Sequence, residues 1–115
     1  MRLESRKYLF DIQQAADSIA SFCAGKTFED YRADELLRAA VERKFAIVGE
    51  ALARLHKEDP DTAGLIPDFR KIIAFRNIII HGYASVDDRI VWGVIESNLS
   101  PLRSTAASLL ATKDD

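Results

Sequence analysis

The sequence predicts an all-α protein, an up-and-down bundle of about five helices, four of them long, plus one short turn. Apolar residues recur every three or four positions through most of the 115-residue chain, which is the spacing of amphipathic helices. Strand signals are weak, because the chain has only five glycines and three prolines and no short alternating runs joined by hairpin turns. We expect a single domain over residues 1–115, since this length is enough for one core.

The first helix is predicted from apolar positions that recur between Tyr8 and Cys23 and face the core. Gly25 follows the last of them and is expected to end the helix, because glycine adopts the left-handed conformation at low cost. Thr27-x-x-Asp30 then has the spacing of a capping box and predicts a short turn of helix.

A long helix is predicted from about Asp34 to His56, followed by a polar loop over residues 57–64 that is rich in helix breakers. Gly49 lies inside this helix, where it costs about 1 kcal/mol relative to alanine. We therefore expect another helix to approach closely at Gly49, with the neighbouring Glu50 in a buried polar contact.

The second half of the chain carries three further helix starts. Pro67 suits the first turn of a helix that ends near Gly82. Ser85-x-x-Asp88 predicts a capped helix from about Val86 to Asn98, and Ser100-Pro101 predicts a break that begins the last helix. The tail after Thr112 is expected to fray.

Composition excludes several function classes. The net charge of −2 argues against a broad surface that coats nucleic acid, although it allows one local cationic pocket. No apolar run is long enough to span a membrane, and the first residues lack the apolar stretch of a signal peptide. The single cysteine, Cys23, predicts a buried thiol with no intrachain disulfide, and no metal-ligand cluster or cofactor motif is present. We expect a cytoplasmic protein without a metal or cofactor.

The most informative stretch places Arg76, Asn77, His81 and Tyr83 in an otherwise very apolar run. At about 100° per residue, Asn77 and His81 are neighbours on one face of a helix, whereas Arg76 lies roughly 140° from His81. The apolar residues of this helix predict a core-facing stripe that consists of Ile72, Phe75, Ile78 and Ile79.

A second apolar strip, Ile73 and Ile80, lies between Arg76 and His81 around this helix. Apolar residues on two sides predict burial on two sides, one against the chain's own core and one against a second copy of the chain. A two-fold axis at this strip would bring both copies of Arg76 and His81 into one cleft.

The chemistry of these residue types suits metal-free RNA cleavage. Arginine can hold phosphate oxygens in a bidentate fork, and histidine can give or take a proton near neutral pH. The structural alternative stays open, because Arg76 could serve as a salt-bridge partner and His81 as a cation at the helix end. Asn77 could orient His81 or simply cover the exposed face.

The spacing Arg76-Asn77-x-x-x-His81-x-Tyr83 resembles the R-x4-H-x-Y motif of the HepT family of HEPN domains. The resemblance covers nearly the whole chain. Residues 47–51 are similar to the family's I-x-G-E-A segment, residues 66–73 to its I-P-W-x-x-I lead-in, and residues 86–92 to its V-D-x-x-x-V-W segment. One departure is Arg43-Lys44-Phe45, where many relatives carry R-N-x-E.

The resemblance implies a HEPN-like helical fold and a ribonuclease toxin that is paired with an MntA-like minimal nucleotidyltransferase antitoxin. It also implies that Arg76 and His81 are catalytic, that Asn77 supports them, and that Tyr83 is the site to which the antitoxin adds AMP. Two other functions stay open: a non-catalytic module that binds a nucleotidyltransferase and nucleotides, and a purely structural helical adaptor. Cleavage of RNA by the purified protein would distinguish the ribonuclease hypothesis from both alternatives.

Overall fold

The computed structural model describes residues 1–82 and 86–112, and these residues form six helices and no strand. The helices are α1 (Leu3–Cys23), α2 (Phe28–Ala33), α3 (Glu35–Glu58), α4 (Pro60–Ala63), α5 (Phe69–Gly82) and α6 (Asp88–Ala111). The prediction of an all-α bundle is confirmed. None of these helices is both long enough and apolar enough to cross a membrane.

Local sequence signals set the boundaries of the first three helices. Gly25 has a φ of +73° just after α1, as expected for a glycine that ends a helix. Thr27 and Asp30 form the predicted capping box at the start of α2. Asp34 caps α3 by accepting a hydrogen bond from the Leu37 backbone N–H at 3.0 Å.

The segment predicted as a loop after α3 contains the short helix α4. Asp59 caps it, since its carboxylate accepts hydrogen bonds from the backbone N–H and the hydroxyl of Thr62. The same carboxylate accepts a 2.7 Å hydrogen bond from the buried hydroxyl of Ser5. Asp59 therefore joins the end of α3 to the first turns of α1.

The predicted break at Ser100-Pro101 is wrong, because α6 runs without interruption from Asp88 to Ala111. Proline removes the hydrogen bond to the carbonyl four residues earlier, which belongs to Ser97. Both Pro101 and Ser97 lie on the exposed side of α6, where water can solvate that carbonyl. The buried side of the helix stays regular and includes Val94, Asn98, Leu99, Leu102 and Ala106.

The start of α6 also differs from the prediction. The helix begins at Asp88 rather than Val86, and Asp87 is its N-cap, with its carboxylate accepting from the Arg89 backbone N–H at 2.8 Å. The predicted cap, Ser85, lies outside the described residues.

The core lies between α1, α3 and α6, and α5 packs against α3. The fully buried residues of this core include Leu9, Ile12, Ile19, Val41, Val48, Leu52, Leu55, Val91 and Leu102. Phe75 of α5 meets Phe45 of α3 edge to face, with ring centroids 5.1 Å apart. Cys23 is buried as predicted, and burial raises the pKa of its thiol.

The orientation of α5 corrects one part of the predicted core stripe. Ile72 and Phe75 are buried and Ile79 packs partly against the core, but Ile78 is 49% exposed. The helix is rotated so that Arg76, rather than Ile78, completes the side that faces α3. Ile78 is consequently a surface residue.

The entry to α5 differs from the prediction at Pro67, which lies two residues before the helix. Asp68 has a φ of +57°, a left-handed conformation that an α-helix cannot contain. Its carboxylate accepts a 3.0 Å hydrogen bond from the side-chain amide of Asn98, which ties this turn to α6.

Candidate active site

Arg76 packs directly on α3 at Gly49, where the absence of a side chain leaves room for it. A Cβ atom built on Gly49 would lie only 2.2 Å from the Cβ of Arg76 and 2.3 Å from its Cγ. The stem of Arg76 therefore fills the space that any other residue at position 49 would take. This contact confirms the expectation that a second helix approaches closely at Gly49.

The guanidinium group of Arg76 is hydrogen-bonded to Glu50, the residue that follows Gly49 on α3. Its Nη1 donates to Oε2 of Glu50 at 3.2 Å, while Oε1 of the same carboxylate accepts from Nε of Arg54 at 3.0 Å. The Arg76 side chain is only 18% exposed, whereas Glu50 is 50% exposed. Glu50 therefore makes the expected polar contact, but the expectation that this contact is buried is wrong, because Glu50 lies on the exposed side of α3. Nε of Arg76 is buried and has no hydrogen-bond partner among the described residues.

One carboxylate is thus shared by two guanidinium groups, which leaves an excess of positive charge in this cluster. The hydrogen bond to Glu50 also raises the pKa of Arg54. Such a cluster can bind an anionic group without first having to lose all of its internal pairing.

His81 and Asn77 lie on another side of α5. Both are exposed, and His81 is in the last turn of the helix. Within one chain, Arg76 faces α3 while His81 faces solvent, in agreement with the angle of roughly 140° between them on the helical wheel. Tyr83, the predicted modification site, lies outside the described residues.

The two residues predicted for a dimer interface have different surroundings. Ile80 is 40% exposed, whereas Ile73 packs partly against the core. Ile80 also lies at the edge of a groove of about 500 Å³ between α1 and α3. The groove is lined by apolar residues such as Ala46 and Ile47 and by charged residues of both signs, which are Lys7, Asp11, Arg43, Glu50 and Arg54.

Sequence reasoning did not find this groove. The apolar spacing of α1 predicts a core-facing Tyr8, but its side chain is only partly buried and its hydroxyl donates to Glu58 at 2.5 Å. That hydrogen bond raises the pKa of the Tyr8 phenol. The small side chains of Ala46 and Ala51, on the face of α3 towards α1, are the signal that could have indicated the groove.

Trp92 is a packing residue. It is partly buried and packs against the buried ring of Tyr31, with centroids 5.5 Å apart. In the part of the chain that the structure describes, no three His, Cys, Asp or Glu side chains are grouped in a way that could hold a metal ion.

Most of the chain is similar to a known protein family. The family described as "Ribonuclease HepT-like" matches residues 12–109. A "Probable ribonuclease HepT" from Thermococcus cleftensis is 31% identical over 110 residues, which cover 90% of this chain and 93% of that protein. A putative RNase from Caldanaerobacter subterraneus subsp. tengcongensis is 31% identical over 105 residues, with 91% of this chain and 93% of that protein covered. No solved structure matches the chain.

We predict that Gly49→Ala displaces α5 from α3, because the new Cβ cannot occupy the same space as the stem of Arg76. Overpacking of this kind typically costs about 1–3 kcal/mol of unfolding free energy, which urea denaturation would measure. Gly93→Ala is the matched control, since no atom lies within 4 Å of a Cβ at that position of α6. It should stabilise the protein by up to about 1 kcal/mol through helix propensity. Equal effects of the two substitutions would show that the contact with Arg76 is not tight.

Proposed function

Because this chain belongs to the HepT-like ribonuclease family, we propose that it is a metal-independent endoribonuclease toxin of a HEPN/MNT type toxin–antitoxin system. In this proposal it acts in the cytoplasm as a homodimer, cleaves RNA with Arg76 and His81, and uses no cofactor. The observation that carries the proposal is the packing of Arg76. Its side chain is only 18% exposed, its stem lies against Gly49 and its guanidinium pairs with Glu50, and it is on the same helix as the exposed His81.

The reaction that suits these groups is attack of a ribose 2′-hydroxyl on the adjacent phosphate. A base takes the proton of the hydroxyl, the bond between phosphorus and the 5′-oxygen breaks, and an acid gives a proton to that oxygen. The products are a 2′,3′-cyclic phosphate and a 5′-hydroxyl. His81 supplies proton transfer, and Arg76 stabilises the negative charge of the phosphorane. Asn77, one turn before His81, supports the imidazole or the substrate.

The need for two copies follows from where the side chains point. One chain holds Arg76 against α3 and leaves His81 facing solvent, on a different side of α5. A two-fold axis near the strip of Ile73 and Ile80 would place two arginines and two histidines around one cleft, which supplies both an acid and a base. The 40% exposure of Ile80 supports this arrangement.

Control by a cognate MntA-like nucleotidyltransferase completes the proposal. That partner would transfer AMP from ATP to the hydroxyl of Tyr83 with release of pyrophosphate. Tyr83 is two residues beyond His81 and directly follows the end of α5 at Gly82. A phosphate at about 4 Å from a cation interacts by roughly 4 kcal/mol at an effective dielectric near 20, before desolvation. Such a group would compete with RNA for Arg76.

We predict that His81→Ala abolishes RNA cleavage without unfolding the protein, since His81 is exposed. Arg76→Lys should keep the positive charge but lose the geometry of the guanidinium, and losing one transition-state donor typically lowers the rate by about 10²–10³. Lysine suits this test better than alanine, because alanine would leave Glu50 without its partner from α5. The measurement is cleavage of labelled RNA in EDTA, with detection of 2′,3′-cyclic phosphate ends.

Wild-type rates in highly purified His81→Ala protein would place the activity elsewhere. Loss of wild-type cleavage in EDTA would contradict the metal-free reaction. If the wild-type protein binds RNA and the nucleotidyltransferase but cleaves nothing, the protein is the non-catalytic module instead.

We predict that Ile80→Asp dissociates the homodimer, because burial of an isoleucine side chain is worth roughly 1.5–3 kcal/mol and a carboxylate would oppose it. Ile73→Asp would be a poorer test, since Ile73 also contacts the core of its own chain. Leu36→Asp, at an 80% exposed position of α3, is the matched control. Sedimentation velocity would read the outcome, and either a monomeric wild type or a dimeric Ile80→Asp protein would contradict the proposed interface.

We predict that co-expression with the cognate nucleotidyltransferase adds AMP to Tyr83 and neutralises the toxin. Mass spectrometry should find the added mass on the peptide that contains Tyr83, and Tyr83→Phe should stay toxic despite the partner. Tyr8→Phe controls for loss of a phenol elsewhere. Neutralisation of Tyr83→Phe would mean that the partner blocks the toxin by binding alone.

A further inference from the structure

A second, smaller pocket lies beside the middle and the first turns of α5. It has a volume of about 250 Å³ and is lined by His56 from the end of α3 and by Arg70, Ile73, Ala74 and Asn77 from α5. Its lining combines a cation, an imidazole, an amide and an apolar floor, and it includes no carboxylate. These are the groups that bind a phosphate and a base.

The charge of Arg70 is uncompensated in the part of the chain that the structure describes. Its side chain is exposed and makes no ion pair or hydrogen bond there, and its guanidinium carbon lies 4.9 Å from the centre of the Phe69 ring. This contact with the ring holds the guanidinium near the helix without neutralising it. Arg76, by contrast, is already paired with Glu50.

His56 is not the solvated helix-end residue that its sequence position indicates. It is only partly exposed, its ring lies 5.0 Å from that of Phe69, and its Nδ1 is buried without a hydrogen-bond partner among the described residues. Phe69 therefore contacts both His56 and Arg70 and fixes them at one edge of the pocket. Because Nδ1 is inaccessible, Nε2 is the nitrogen of this imidazole that can meet a ligand in the pocket.

The pocket is aligned with His81 along α5. Arg70, Asn77 and His81 are separated by seven and four residues, which places them within about 40° of one another around the helix. The distance along the axis from Arg70 to His81 is about 16 Å at 1.5 Å per residue. A single RNA strand that presents a phosphate to His81 can therefore continue past Asn77 to Arg70.

We propose that this pocket is a substrate subsite that binds a nucleotide of the RNA remote from the cleaved bond. Arg70 binds a backbone phosphate, the base packs on Ala74, on the side of the pocket that is turned away from Ile80, and the Asn77 amide and His56 hydrogen-bond to the base or its ribose. This role of Asn77 is in substrate binding rather than in orienting His81. The inference rests on the proposed function only in that its ligand is RNA.

The first test measures binding without cleavage. A 2′-O-methyl oligoribonucleotide cannot be cleaved, because it lacks the nucleophilic hydroxyl, and its fluorescence anisotropy reports Kd. Arg70→Gln should raise Kd about tenfold, the size expected for a charge-assisted hydrogen bond, and should lower the salt dependence of log Kd by about 0.7. The neighbouring Lys71→Gln is the matched control, because Lys71 is also exposed but lies about 100° away around the helix. It should change Kd less than about twofold.

Equal effects of Arg70→Gln and Lys71→Gln would overturn the subsite in favour of nonspecific attraction, and so would no effect of either. His56→Gln should also weaken binding but leave the salt dependence unchanged, because it removes a hydrogen-bonding ring rather than a charge. Unchanged binding in His56→Gln would remove the imidazole from the subsite.

The second test uses cleavage and separates the two proposals. For a long oligoribonucleotide, Arg70→Gln should raise KM and leave kcat unchanged, whereas a dinucleotide that cannot reach the pocket should be cleaved equally by both proteins. A loss of kcat on the dinucleotide would contradict a remote subsite. If the wild-type protein cleaves no RNA, the proposed ribonuclease function fails while the binding test still decides the pocket.

Discussion

The close approach of α5 to α3 at Gly49 is the constraint on which the rest of the site depends. Because residue 49 has no side chain, the stem of Arg76 lies directly on the backbone of α3. This contact and the edge-to-face pair of Phe45 and Phe75 fix the rotation of α5 about its own axis. The exposure of Ile80 and His81 follows from that rotation. The glycine costs about 1 kcal/mol of helix propensity, which the packing of α5 offsets.

Placing Arg76 there makes a counter-charge necessary. The Arg76 side chain is only 18% exposed and its Nε is buried, so its charge has lost part of its hydration and leaving it unpaired would be unfavourable. Glu50 supplies the charge but shares it with Arg54, so that the neutralisation is incomplete. The pair of Arg76 and Glu50 differs from the ion pair of Arg103 and Asp17. Both side chains of that second pair are about 45% exposed, and like most surface pairs it stabilises the fold by at most about 1 kcal/mol.

Periodicity was sufficient to predict the helices but not the rotation of the most important one. The five isoleucines of α5 point to several sides of the helix. The pattern therefore shows that the segment is helical but does not show which side of the helix is buried. The predicted core-facing stripe includes Ile78, whereas the structure exposes Ile78 and turns Arg76 towards α3. The break predicted at Pro101 failed for another reason, since a proline on the exposed side of a helix removes only a bond that water can replace. The catalytic roles proposed for Arg76 and His81 rest on the family resemblance, because composition alone allows a salt bridge and a solvated histidine.

The three sides of α5 are compatible with simultaneous binding of a second copy and of RNA. One side faces α3 and carries Phe75 and Arg76. A second carries Ile80, next to the groove between α1 and α3. The third carries Arg70, Asn77 and His81, and it lies about 60–100° further around the helix from Ile80. A partner that covers Ile80 therefore need not cover the polar side. His81 lies at the end of α5, where the two surfaces meet, and it is the position at which a composite site would need an imidazole.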